Sequence, residues 1–133
     1  GLAASVRAKE VAGVELNADA VRDAIANARR NGVKNCWFTC ADAGEYMKSL
    51  AQQGEKCDVV FMDPPRAGSD AAFLGALLTL APKRVVYVSC NPDTLARDLS
   101  VLRSGGYRVE KAQGVDMFPH TEHVETVVRL SQQ

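Results

Sequence analysis

Excess charge of either sign is missing from this chain: sixteen Lys and Arg offset sixteen Asp and Glu among 133 residues. A segment that grips a polyanion by itself normally shows surplus Lys and Arg, so the balance argues against a complete nucleic-acid-binding module. A domain whose nucleic-acid grip lies on a neighbouring domain would look the same. No apolar run is long enough for a membrane span, and the start does not read as a signal peptide. Low-complexity tracts and internal repeats are absent. The four cysteines, Cys36, Cys40, Cys57 and Cys90, have neither zinc-knuckle nor iron–sulfur spacing, so no metal is expected and reduced thiols in a cytoplasmic protein are. There is no initiator Met, and Gly1-Leu2-Ala3-Ala4 reads as the middle of something under way. The expectation is a piece of a longer protein, with residues 1–133 forming part of one domain.

What is present is an alternation of strands and helices. Val11–Glu15 reads as a short buried strand. Asn17 caps a helix with Val21, Ala24, Ile25 and Ala28 on its apolar face, stopped by Gly32. Cys36–Cys40 is a second strand, and Asp42 caps the next helix with Glu45 three residues on. The apolar run from Cys57 to Met62 stops at Asp63-Pro64-Pro65-Arg66, before a helix with Phe73, Leu74, Leu77 and Leu78 inward. Arg84–Ser89 is the clearest buried strand. Asn91 and Pro92 open a helix bearing Leu95, Leu99 and Leu102, ended by Gly105-Gly106. Two β-rich segments, about 107–115 and 123–130, close the chain. Strands separated by helices predict a mostly parallel sheet in an α/β sandwich, and two strands with no helix between them predict a C-terminal antiparallel hairpin.

Ligands of open parallel sheets bind beyond the carboxyl ends of the strands. The polar residues expected there are Glu15, Asp42, Asp63 and Cys90. An antiparallel last strand contributes its beginning to the same rim, which predicts His120, His123 and Glu125 beside Cys90. Each residue has two readings. Glu15 either accepts ribose hydroxyls of a nucleoside cofactor or is a surface acid ahead of a helix; Asp42 either caps its helix or also meets an adenine amino group. Asp63, frozen by two prolines, is a site acid or part of a tight turn. Arg66 holds RNA phosphate or pairs with an acid. Cys90 is a nucleophile at a helix N-terminus, where negative charge is favoured, or a core thiol. His120 and His123 are structural or RNA-contacting. Cys36, Cys40, Cys57 and Trp37 are assigned to the core.

Taken together, the segments Val14-Glu15, Asp63-Pro64-Pro65-Arg66-Ala67-Gly68, Tyr87-Val88-Ser89-Cys90-Asn91-Pro92, Thr94-Leu95-Ala96-Arg97-Asp98 and Asp116-Met117-Phe118-Pro119-His120-Thr121-Glu122-His123-Val124-Glu125 resemble the RNA uridine-5-methyltransferases that modify tRNA or 23S rRNA. The resemblance runs over nearly the whole chain. It implies a Rossmann-like class I fold, S-adenosylmethionine as cofactor, an RNA substrate, Cys90 as nucleophile and Glu125 as general base. Glu15, Asp42 and Asp63 fall at cofactor-side positions. It further implies that the family's first strand, Gly-rich loop and RNA-binding region precede Gly1, so that this chain alone binds the cofactor weakly. The strands ending at Glu15 and Asp63 would then pair directly or receive another segment between them. Two rival functions stand beside this one: an amino-methyltransferase using the Asp-Pro-Pro loop, which needs no cysteine, and a non-catalytic nucleotide- or RNA-binding domain.

Overall fold

A computed structural model describes all residues, 1–133. They fall into two compact units, Gly1–Tyr46 and Met47–Gln133, each taken in turn.

The first unit holds a short helix α1 (Leu2–Ser5), strand β1 (Val11–Glu15), helix α2 (Ala18–Arg30) and strand β2 (Cys36–Cys40); helix α3 (Ala43–Gln52) begins in it. β1 and β2 pair in parallel from Val11↔Cys36 to Glu15↔Cys40. The Asn17 side chain accepts from the amides of Asp19 and Ala20, satisfying two donors that the first turn of α2 leaves open. Gly32, at φ +65°, turns the chain out of α2. Val21 and Ala28 are the buried residues of the helix, as the apolar spacing predicts.

The second unit contains β3 (Val59–Met62), α4 (Ala71–Leu80), β4 (Arg84–Ser89), α5 (Pro92–Ser104), β5 (Tyr107–Val115) and β6 (Glu125–Gln132). Its sheet has the order β3-β4-β6-β5, parallel between β3 and β4 and antiparallel elsewhere. The last strand therefore sits between β4 and β5. β1 and β2 form a separate two-stranded sheet, so β1 and β3 do not pair directly.

Val85, Tyr87, Leu77, Leu102, Leu130 and Val128 form the driest part of the core. Each large apolar side chain enclosed there stabilises the fold by about 1.5–3 kcal/mol. β-Branched and aromatic residues suit the centre of this sheet, and Val85, Tyr87 and Ser89 alternate inward along β4. α4 ends on Ala81 in the left-handed region (φ +50°), and Pro82 prevents its continuation.

Burial, then the hydrogen bond to Asp98 and its negative charge, push the Tyr87 phenol far above the ordinary tyrosine range. Burial also raises Tyr107, whose hydroxyl donates to the Pro82 carbonyl at 2.6 Å. A proton held more tightly in the folded state gives stability that is intact below the unfolded phenol pKa of about 10 and declines above it. An alkaline titration followed by phenolate absorbance and circular dichroism should therefore show Tyr87 and Tyr107 ionising late and together with loss of structure. Their ionisation in a fully folded protein near pH 10 would contradict this.

Two core assignments are corrected. Trp37 is 54% exposed, and Cys40 is exposed with its thiol donating to the Leu16 carbonyl at 3.4 Å. Both lie on β2, where two strands and one long helix provide too little cover for both faces of a sheet. Cys57 fits its assignment better: half-buried, its thiol is pushed up chiefly by burial and donates to the Val59 carbonyl at 3.2 Å. All four cysteines are free. No helix is long and apolar enough to cross a membrane.

Candidate active site

In the first unit, two carboxylates stand at the carboxyl edge of the parallel pair. Glu15 is the last residue of β1, and Asp42 lies two residues beyond the end of β2. Glu15 accepts from the Asn17 amide at 2.8 Å, and Asp42 accepts from the Glu45 amide at 2.9 Å at the start of α3. Both are exposed. Each thus performs the local helix-start role expected of it through a single named oxygen. The second oxygen of each carboxylate can accept a further hydrogen bond, for example from a hydroxyl or an exocyclic amine.

In the second unit, the strand ladder aligns the remaining candidates. The β4–β6 pairing runs from Arg84↔Ser131 to Ser89↔Thr126. Cys90 follows Ser89 and Glu125 precedes Thr126, so each adjoins the last pair of the ladder; both are half-buried. Opposed Cα atoms in such a ladder are about 4.5–5.5 Å apart, which sets Ser89 and Thr126, and hence the residues next to them, at one end of the sheet. The last strand runs antiparallel to β4, as expected from the sequence.

The backbone around Cys90 is braced locally. The Ser89 hydroxyl accepts from the Asn91 amide at 3.1 Å and donates to the Asn91 carbonyl at 2.9 Å. Asn91 caps α5 by accepting from the Asp93 amide at 3.0 Å, and Pro92 occupies the first turn, where a missing N–H costs nothing.

Asp63 follows β3 directly and is exposed, in the parallel neighbour of β4. Three residues on, Arg66 meets a histidine rather than an acid: its Nη1 lies 3.5 Å from Nδ1 of His123. That contact joins the Asp-Pro-Pro-Arg loop to the segment leading into β6. The His123 amide also donates to the Thr121 hydroxyl at 3.2 Å. His120 lies in the same segment with φ +67°.

Sequence reasoning gave no role to Asp98. Its residue is 0% exposed, and its Oδ2 accepts from the Tyr87 hydroxyl and the Ser69 amide, both at 2.7 Å. A signal was present: residue 98 lies three after Leu95 and four before Leu102, on the face that the leucines mark as core. An acid at such a position asks for dedicated partners.

The α/β order, the parallel pairs and the antiparallel close are those of the Rossmann-like fold of S-adenosylmethionine-dependent methyltransferases. One such enzyme from Agrobacterium tumefaciens superposes with a TM-score of 0.74 at 16% identity, over 99% of this chain and 52% of that one. More specifically, the tRNA (uracil-5-)-methyltransferase family profile matches residues 1–133, and the chain belongs to that family. The tRNA (uracil-54, C5)-methyltransferase of Pyrococcus abyssi, solved with S-adenosyl-L-homocysteine, is similar with a TM-score of 0.81 and 36% identity, covering 98% of this chain and 31% of that one. An uncharacterized RNA methyltransferase of Halalkalibacterium halodurans is 52% identical over 93% of this chain. One of Oceanobacillus iheyensis is 48% identical over 94%. The chain spans 27% of the length of each of these two relatives.

Proposed function

We propose that the protein to which this chain belongs methylates carbon 5 of a uridine in RNA, using S-adenosylmethionine and a transient bond between Cys90 and the base. The observation that supports the reading is the antiparallel β4–β6 ladder ending at Ser89↔Thr126, because Cys90 follows one member of that last pair and Glu125 precedes the other. An amino-methyltransferase has no need of either residue there.

Carbon 5 of uracil is too weak a nucleophile to take a methyl group unaided. The Cys90 sulfur adds to carbon 6, and the electrons of the 5,6 double bond pass into an enolate that makes carbon 5 nucleophilic. S-adenosylmethionine supplies the electrophilic methyl group. Glu125 then accepts the proton from carbon 5; the double bond reforms and the sulfur leaves carbon 6. Glu15 and Asp42 serve the nucleoside end of the cofactor, and Asp63 also acts on the cofactor side. Arg66, with His123 beside it, is suited to an RNA phosphate or a base oxygen. The target uridine has to leave its stack to reach a half-buried thiol.

RNA substituted with 5-fluorouridine tests the mechanism in the complete protein. Fluorine cannot leave carbon 5 as a proton, so the adduct stalls after methyl transfer, and a protein–RNA species that survives denaturation should accumulate. Efficient methylation of unsubstituted RNA with no trapped species from the fluorinated RNA would reject the cysteine route.

A further inference from the structure

The loop after Asp63 is fastened to α5 through four backbone groups. The Arg66 carbonyl accepts from Asn91 Nδ2 at 3.2 Å and from the Thr94 hydroxyl at 3.1 Å. Arg97 Nη2 donates to the carbonyls of Ala67 at 3.0 Å and Ser69 at 3.1 Å. The Ser69 amide donates to Asp98. Asp98 in turn accepts from Arg97 Nε at 2.9 Å through Oδ1, while its Oδ2 serves Ser69 and Tyr87.

Gly68 lies between these groups at φ +78°. A Cβ there would come within 2.6 Å of Arg97 Nη2, 2.9 Å of Asp98 Oδ2 and 3.0 Å of Thr94 Cβ. The loop thus lies directly against the first turns of the helix, with no room for a side chain.

Stability alone does not account for this arrangement. A carboxylate removed from water costs several kcal/mol before its partners compensate, and a well-packed apolar residue in its place is often as stabilising or more so. Leu95, Leu99 and Leu102 show that this face of α5 accepts apolar residues. What an apolar residue cannot do is hold a loop amide and orient the arginine that holds two loop carbonyls.

We infer that Asp98 and Arg97 are positioning residues that lock residues 67–69, immediately after the Asp63–Arg66 turn, onto the helix beginning beside Cys90, thereby setting that turn's acid and arginine relative to the thiol. The inference rests on the proposed methyl transfer for its consequence and on geometry alone for the lock. Neither side chain touches the reacting atoms.

Arg97 is the better probe, because its side chain is 55% exposed and its removal leaves Asp98 with Tyr87 and Ser69 as donors. In the complete protein, Arg97→Ala should speed amide hydrogen exchange at residues 67–69 while leaving the melting temperature within a few degrees. It should lower kcat about 10- to 100-fold, the scale of a small misplacement at a reacting centre, with little change in either KM. Arg97→Lys should recover part of both effects, since an ammonium can still reach a loop carbonyl. Asp98→Asn should show the same kinetic pattern with a larger loss of stability. Unchanged exchange in Arg97→Ala, or faster exchange with kcat unaltered, would overturn the inference. If the wild-type protein methylates no uridine yet the loop exchange responds as described, the functional reading fails and the lock itself is supported.

Discussion

Cys90→Ala in the complete protein is expected to lower uridine methylation by about four to six orders of magnitude, the scale seen when a covalent nucleophile is removed. The loss is large because, in the proposed mechanism, no other group makes carbon 5 nucleophilic. It should leave cofactor affinity within a few-fold of wild type, as measured by equilibrium binding, since Glu15 and Asp42, the carboxylates proposed to serve the cofactor, are untouched. Folding should be little affected: residue 90 is half-buried, lies outside the dry core, and keeps the Ser89–Asn91 backbone brace. Retention of a tenth of the wild-type rate would support the amino-methyltransferase alternative and dismiss the adduct.

Glu125→Gln gives the complementary result. The amide preserves the shape and the β6 register but cannot accept the carbon-5 proton at the required rate. Turnover should fall about 10²- to 10⁴-fold, the usual contribution of a positioned base. The methylated adduct should accumulate on ordinary RNA and appear as a slowly migrating band in a denaturing gel. The double variant Cys90→Ala/Glu125→Gln should form no such band and be no slower than Cys90→Ala, because the base has nothing to do until the sulfur has added. A Glu125→Gln protein that turns over normally would remove this residue from the mechanism.

The parts of the fold that local chemistry determines were readable before any coordinates. Asn17, Asp42 and Asn91 announce helix starts through short-range bonds to the next two or three amides, and each makes such a bond. The rim assignment of Cys90 and Glu125 needed one further step, the direction of the last strand. Burial was less legible where it depended on neighbours that a pattern does not reveal. Trp37 and Cys40 have the composition of core residues, yet the small β1–β2 sheet has too little packed over its faces to bury them. Asp98 failed for the opposite reason: it belongs to the core while looking like surface. Its three kinds of donor come from β4, from its own helix and from a loop nearly thirty positions away, and no periodicity contains that information.

The ladder joining β4 to β6 also has a bearing on how this sequence can diverge. The segment from Asp116 to Val124 can gain or lose a residue at its tip without altering which groups meet at the rim, because the hairpin partner re-forms on either side. Within Thr126–Leu130 a lost residue is a different matter: each side chain beyond it changes face, so Val128 and Leu130 leave the interior or Glu125 swings away from the sulfur. Length variation among natural descendants should therefore collect in the connection and stop at the strand.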